Sequence, residues 1–152
     1  MDQDAIIQYI AETFDGVDVE APTDGVGAGD TFFIYDPDRN FEPKHRFPFA
    51  TIVAKNYTNW DEASNLDRPG VFRLNIGVSR DTFRALFPPA ASMPDPAALD
   101  LLMPHPVYAA QSWVSVLNPS NETFATVRPL LAEAYGLALK RQGNRQPADS
   151  GA

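Results

Sequence analysis

The 152-residue chain has no cysteine, and this one absence excludes disulfides, thiolate zinc sites, iron–sulfur ligation and a cysteine nucleophile together. Only two histidines are present, His45 and His105, with neither the i, i+4 spacing nor the HExxH context of a zinc site. No apolar run approaches the roughly 20 residues that cross a bilayer, and MDQDAIIQYIAETF carries acids where a secretion signal would carry basic residues. A soluble, cytoplasmic protein with no membrane partner is the expectation. Lys and Arg are also missing from the first thirty residues, which hold eight acids and give the chain its net charge of −8. So acidic an end repels polyanions, and duplex DNA is not an expected partner.

Catalytic signatures are equally sparse. GVGAGD (25–30) resembles part of a phosphate-binding loop but lacks the third glycine, the strand-to-helix context and the Lys, and reads as a loop. DPDRNFE puts Asp36, Asp38 and Asn40 at calcium-loop positions, then places Phe41 where glycine is needed and Phe47 where a bidentate carboxylate belongs. Ser79, Ser112 and Ser115 lie in no GxSxG elbow. Lys44, His45 and Arg46 form a small basic patch that reads as solvated. No metal ligand, cofactor or catalytic residue is assigned.

What the chain does contain is a regular series of elements. Asp2 or Asp4 caps a first helix with Ile6, Ile7, Ile10 and Phe14 at helical spacing, ended by Gly16. TFFIY (31–35), PFATIVAK (48–55), VFRLNIGV (71–78) and WVSVLN (113–118) read as strands, with VDVE as a fifth, shorter one. NYTNWDEASNLDRPG reads as a polar surface connection. Ser79 or Asp81 opens a short helix with Phe83, Leu86 and Phe87 on one face, and PAALDLL offers a turn of helix. A final helix carries Val127, Leu130, Leu131, Ala134, Leu137 and Ala138 as its stripe. Proline belongs in a first turn, so Pro129 favours Thr126 over Asn121 as its cap. Residues 1–141 are expected to form one domain and 142–152 a disordered polar tail.

This order predicts an α+β domain, a mostly antiparallel sheet of four to five strands with the N- and C-terminal helices on one face. Alternation then sorts the strands. Phe72, Leu74, Ile76, Val78, Val114 and Val116 face the helices; Arg73, Asn75, Trp113, Ser115 and Leu117 face away. TFFIY and ATIVAK are apolar on both faces, and Phe33, Tyr35, Thr51 and Val53 are taken as their outward members.

Five segments, GDTFFIYDP, RFPFATIVAK, LDRPGVFRLNIGVSRDTFRALF, HPVYAAQSWVSVLNP and LLAEAY, together resemble the bacterial proteins grouped as domain of unknown function family 6194. The resemblance spans about residues 3 to 141 and implies no activity. More loosely, the order of an apolar strand, a short Phe/Leu helix, a WVSV strand and a helix with Ala-Tyr is similar to MmcQ/YjbR-like proteins. That resemblance implies a frataxin-like shape and, by analogy, nucleic-acid binding.

The outward face supplies the candidates. A guanidinium on a central strand must meet water, a carboxylate or a ligand, so Arg73 is either in an internal ion pair, with Asp67 or Asp30, or a holder of anions. Asn75, His105, Tyr108 and Trp113 complete the tentative ligand-binding set, the last three in a proline-fixed loop at the rim of the sheet. The expected function is a non-enzymatic binding module for a small anionic ligand or a peptide. Its alternatives are a hydrolase or transferase using His105 as general base, and nucleic-acid binding.

Overall fold

A computed structural model describes residues 1–90 and 92–145 of the chain. In order they form α1 (Gln3–Thr13), β1 (Val17–Glu20), β2 (Thr31–Tyr35), β3 (Pro48–Val53), β4 (Arg73–Gly77), α2 (Arg80–Leu86), β5 (Met103–Pro104), β6 (Trp113–Leu117) and α3 (Asn121–Arg145). The strands build one sheet in the order β1-β2-β3-β4-β6-β5, antiparallel at every pairing. The domain is α+β, with six strands among the described residues where four to five were expected. The extra strand, β5, is two residues long and contains a proline, too short for alternation to reveal it. PAALDLL forms no helix; a single turn there is closed by Ala98 N–H to the Asp95 carbonyl.

Alternation along β4 and β6 holds as expected. Leu74, Ile76, Val114 and Val116 are fully buried with Ile6 and Ile10 of α1 and Phe124, Val127 and Leu131 of α3. Each such aliphatic or aromatic side chain contributes roughly 1.5–3 kcal/mol on burial, and this layer fixes the helices to one face. The assignment of β2 is corrected. Phe33 lies in the helix-side core, and Tyr35 meets Tyr135 of α3 edge to face at 5.8 Å, so both point to the helices. Phe32 takes the other face with Thr51 and Val53. A strand apolar on both faces does not declare its inner side.

The start of α3 is also corrected. Ser120 is its cap: the hydroxyl accepts the Thr123 N–H at 3.1 Å, and the Ser120 carbonyl accepts the Phe124 N–H at 2.8 Å. Pro129 sits inside the helix at an exposed position. A proline there costs about 3 kcal/mol, while the extra turn carries Phe124, which is completely buried. Packing outweighs propensity. The helix runs to Arg145, four residues into the expected tail; the rest of that tail, 146–152, lies outside the described residues.

Other polar assignments change too. Arg46 turns inward, bonding Asp36 and Asp18, so the supposed solvated basic patch is partly a structural ion-pair cluster. Phe83 of α2 and Phe87, its C-terminal cap, pack on the core while Leu86 is exposed. The polar connection after β3 folds back over the second face of the sheet and buries Asp61, Ser64 and Leu66. Leu66 joins Val53, Met103 and Leu117 in a smaller second core, leaving the rest of that face as a concavity. Among the described residues, no helix is long and apolar enough to cross a membrane.

Candidate functional site

The concavity is a cavity of about 570 Å³ on the sheet face opposite the helices. Arg73, Asn75, His105, Tyr108 and Trp113, the five residues singled out in the sequence, all line it. Its floor starts from register. Thr51, Asn75 and Ser115 stand side by side on β3, β4 and β6. Asn75 Oδ1 accepts from Ser115 Oγ at 2.8 Å, and Asn75 Nδ2 donates to Thr51 Oγ1 at 3.0 Å, which fixes the amide's orientation.

Arg73, one pleat along, is fully buried and spends its donors inside the protein. Nε donates to Asn75 Oδ1 at 2.7 Å; Nη1 donates to Asp61 Oδ1 at 3.0 Å and Ser64 Oγ at 2.9 Å; Nη2 donates to Asp61 Oδ2 at 2.6 Å. This is a bidentate guanidinium–carboxylate pair, the form with the strongest geometry. The internal ion pair therefore exists, but its partner is Asp61, neither Asp67 nor Asp30. Asp67 accepts the Asn56 N–H, and Asp30 accepts the Ala54 N–H and the Tyr57 hydroxyl. Burial and the Asp30 carboxylate raise the Tyr57 pKa, so the phenol stays protonated.

The fifth Arg73 hydrogen points at His105 Nε2, 3.3 Å from Nη2. His105 is buried, 3% exposed, and its ring closes its own loop: Nδ1 accepts the backbone N–H groups of Val107 at 2.9 Å and Tyr108 at 3.0 Å. Those two bonds require a bare Nδ1, which puts the proton of the neutral ring on Nε2. Burial, reinforced by the Arg73 charge, lowers the His105 pKa to about 3, so the ring is neutral at physiological pH. A donor therefore faces a donor across the cavity floor.

The walls are apolar and aromatic. The loop after β3 is pinned by a bridge between Tyr57 and Asp61 and turns through Asn59 in the left-handed region, φ 64°. That turn sends Asp61 to the floor and leaves Trp60 at the mouth, 54% exposed. Trp60 meets Tyr57 at 5.2 Å and Tyr108 at 6.1 Å, both edge to face. Trp113 lies over Gly77 on β4, where an added methyl would sit 3.1 Å from the indole. Phe32, Phe47 and the GVGAGD loop close the other side. Among the described residues no cluster of three or more His, Cys, Asp or Glu side chains is placed to hold a metal.

A family model described as a family of unknown function, DUF6194, matches residues 1–147. The chain belongs to that family. No curated protein and no solved structure matches it, so the similarity to MmcQ/YjbR-like proteins stands on its sequence segments alone.

In this DUF6194 chain the residues that sequence reasoning missed come mainly from one loop. Tyr57, Trp60, Asp61 and Ser64 stood in a stretch read as polar surface. The signals were there: two aromatic rings with no apolar neighbours, and a central-strand arginine in need of a carboxylate. His105, a candidate ligand group in the sequence, is a buried ring that packs its own loop.

Proposed function

We propose that the protein is a non-catalytic binding module whose cavity on the helix-free sheet face takes a small, flat, largely apolar ligand. The carrying observation is the cavity itself: six aromatic rings, Phe32, Phe47, Tyr57, Trp60, Tyr108 and Trp113, over a floor of buried, ordered polar groups. Its volume falls in the range of small-molecule sites, and apolar walls with a few fixed polar groups are their usual chemistry. Four side chains that line the cavity, Val26, Phe47, Trp60 and Tyr108, are exposed apolar or aromatic groups, the kind of surface that marks a binding site.

The charge balance argues against an anion as the main occupant. Asp61 neutralises Arg73, and Asp30 adds a second carboxylate to the lining. The base role considered for His105 also loses support, because the Nδ1 lone pair is committed to two backbone N–H groups and Nε2 carries the proton. Placement in the cytoplasm belongs to the same reading.

Thermal-shift screening tests the proposal, run on the protein and on Trp60→Ala against aromatic acids, ketones, nucleobases and sugar phosphates. A ligand at 100 times its Kd adds about 2.7 kcal/mol, roughly 5–10 °C for a domain of this size. Hits are expected among planar apolar compounds and should weaken in Trp60→Ala. Hits confined to sugar phosphates would overturn the reading.

A further inference from the structure

We infer that the ligand presents a neutral hydrogen-bond acceptor on a flat ring, a carbonyl oxygen or a ring nitrogen, to the Nε2–H of His105 and the fifth hydrogen of Arg73. The inference rests on the reading of the cavity as a ligand site and names the chemistry of that site.

Three observations carry it. The first is the donor inventory: four Arg73 hydrogens have acceptors in Asn75, Asp61 and Ser64, and the fifth is directed at a ring nitrogen that is itself protonated. The alternative tautomer would set a hydrogen on Nδ1 against two backbone donors at 2.9 and 3.0 Å, which is worse. No described residue accepts the Nε2 hydrogen, so two buried donors, on side chains 0% and 3% exposed that both line the cavity, face each other with no acceptor between them. Leaving buried donors unmatched is costly, and a single oxygen with two lone pairs answers both.

The second is charge. A carboxylate would also accept, but it would enter a cavity lined by Asp30 and Asp61 against one guanidinium, with His105 neutral. Like charge in an apolar setting raises the cost of an anion. A neutral acceptor meets the two donors without that cost.

The third is shape. Trp113 is held over Gly77, and Tyr108 lies against His105 with ring centroids 5.0 Å apart, so flat surfaces border the donor pair. Such walls suit a ring whose acceptor is in or next to its plane.

Three probes of one shape separate the outcomes: 2-acetonaphthone, a neutral acceptor; 2-isopropenylnaphthalene, its hydrocarbon analogue; and 2-naphthoate, the anion. Affinities are measured by fluorescence on the whole chain, and the ring nitrogens of His105 are followed by ¹⁵N NMR in the free and bound protein. Expected are a protonated Nε2 in the free protein, binding of the ketone at least tenfold tighter than either other probe, and a shift of the Nε2 signal with the ketone. Equal affinities, tightest binding of the naphthoate, or a proton on Nδ1 would overturn the inference and leave the binding-site reading in place. No binding of any probe at millimolar concentration would overturn both.

Discussion

Arg73 is the residue on which the site turns. Its side chain is fully buried on a central strand, and one carboxylate, Asp61, balances its charge. Removing that partner leaves an unpaired charge on a side chain with no exposed surface, so Asp61→Ala should cost about 3–5 kcal/mol in a denaturant titration, and Arg73→Ala should also destabilise the fold. Replacing both by apolar residues should cost less than Asp61→Ala alone. A loss below about 1 kcal/mol for the single variant would contradict the geometry. His105 makes a second prediction at this scale. Its pKa is near 3 in the fold and near 6.5 when unfolded, so the unfolded state takes up the proton first as pH falls. Its neutral ring therefore favours folding fully above about pH 6.5, and that contribution is lost on acidification, by up to about tenfold in the folding constant per pH unit between 6 and 4. Comparing the pH dependence with that of His105→Asn isolates the effect from the carboxylates. Identical profiles would show that the ring is not buried neutral. Much of this scale was legible in the sequence, since an arginine between Phe72 and Leu74 must find a partner. Which acid it finds was not, because Asp61 reaches it through a loop whose path depends on a left-handed Asn59.

The elements show where local rules yield to packing. In α3 the sequence rule against an interior proline pointed to Thr126 as cap, yet the helix begins at Asn121, and the added turn carries the fully buried Phe124. Pro129→Ala should then stabilise the protein by about 1–2 kcal/mol, the regained helical bond less the lost rigidity of the unfolded chain. Ser120→Ala should destabilise by about 1 kcal/mol. Stability measured by urea titration checks both; if Pro129→Ala were neutral or harmful, a helix continuous through that position would be in doubt. Alternation succeeded on β4 and β6, where polar residues mark the far face. It failed on β2, where TFFIY is apolar on both faces, and β5 was invisible because two residues have no period.

For the whole molecule, the two faces of the sheet divide the work. Helices α1 and α3 cover one face with a continuous apolar core, and the other face carries the loop after β3 and, beside it, the cavity. The sequence showed the layer arrangement and named five residues that meet at the cavity. It did not show the lid-like contribution of Tyr57 and Trp60, because a loop's fold follows from contacts distant in sequence. Membership in the DUF6194 family places the chain without assigning it a task, so the cavity carries the functional reading. The chain has only two tryptophans, Trp60 and Trp113, and both line that cavity. Their indole N–H signals are therefore site reporters requiring no label beyond ¹⁵N. The decisive measurement is a ¹H–¹⁵N titration of the protein with 2-acetonaphthone, following those two signals. Both should move along one saturable curve with a common Kd, while amides of α1 stay still. If the α1 amides shift and the two indoles do not, the cavity is not the binding site.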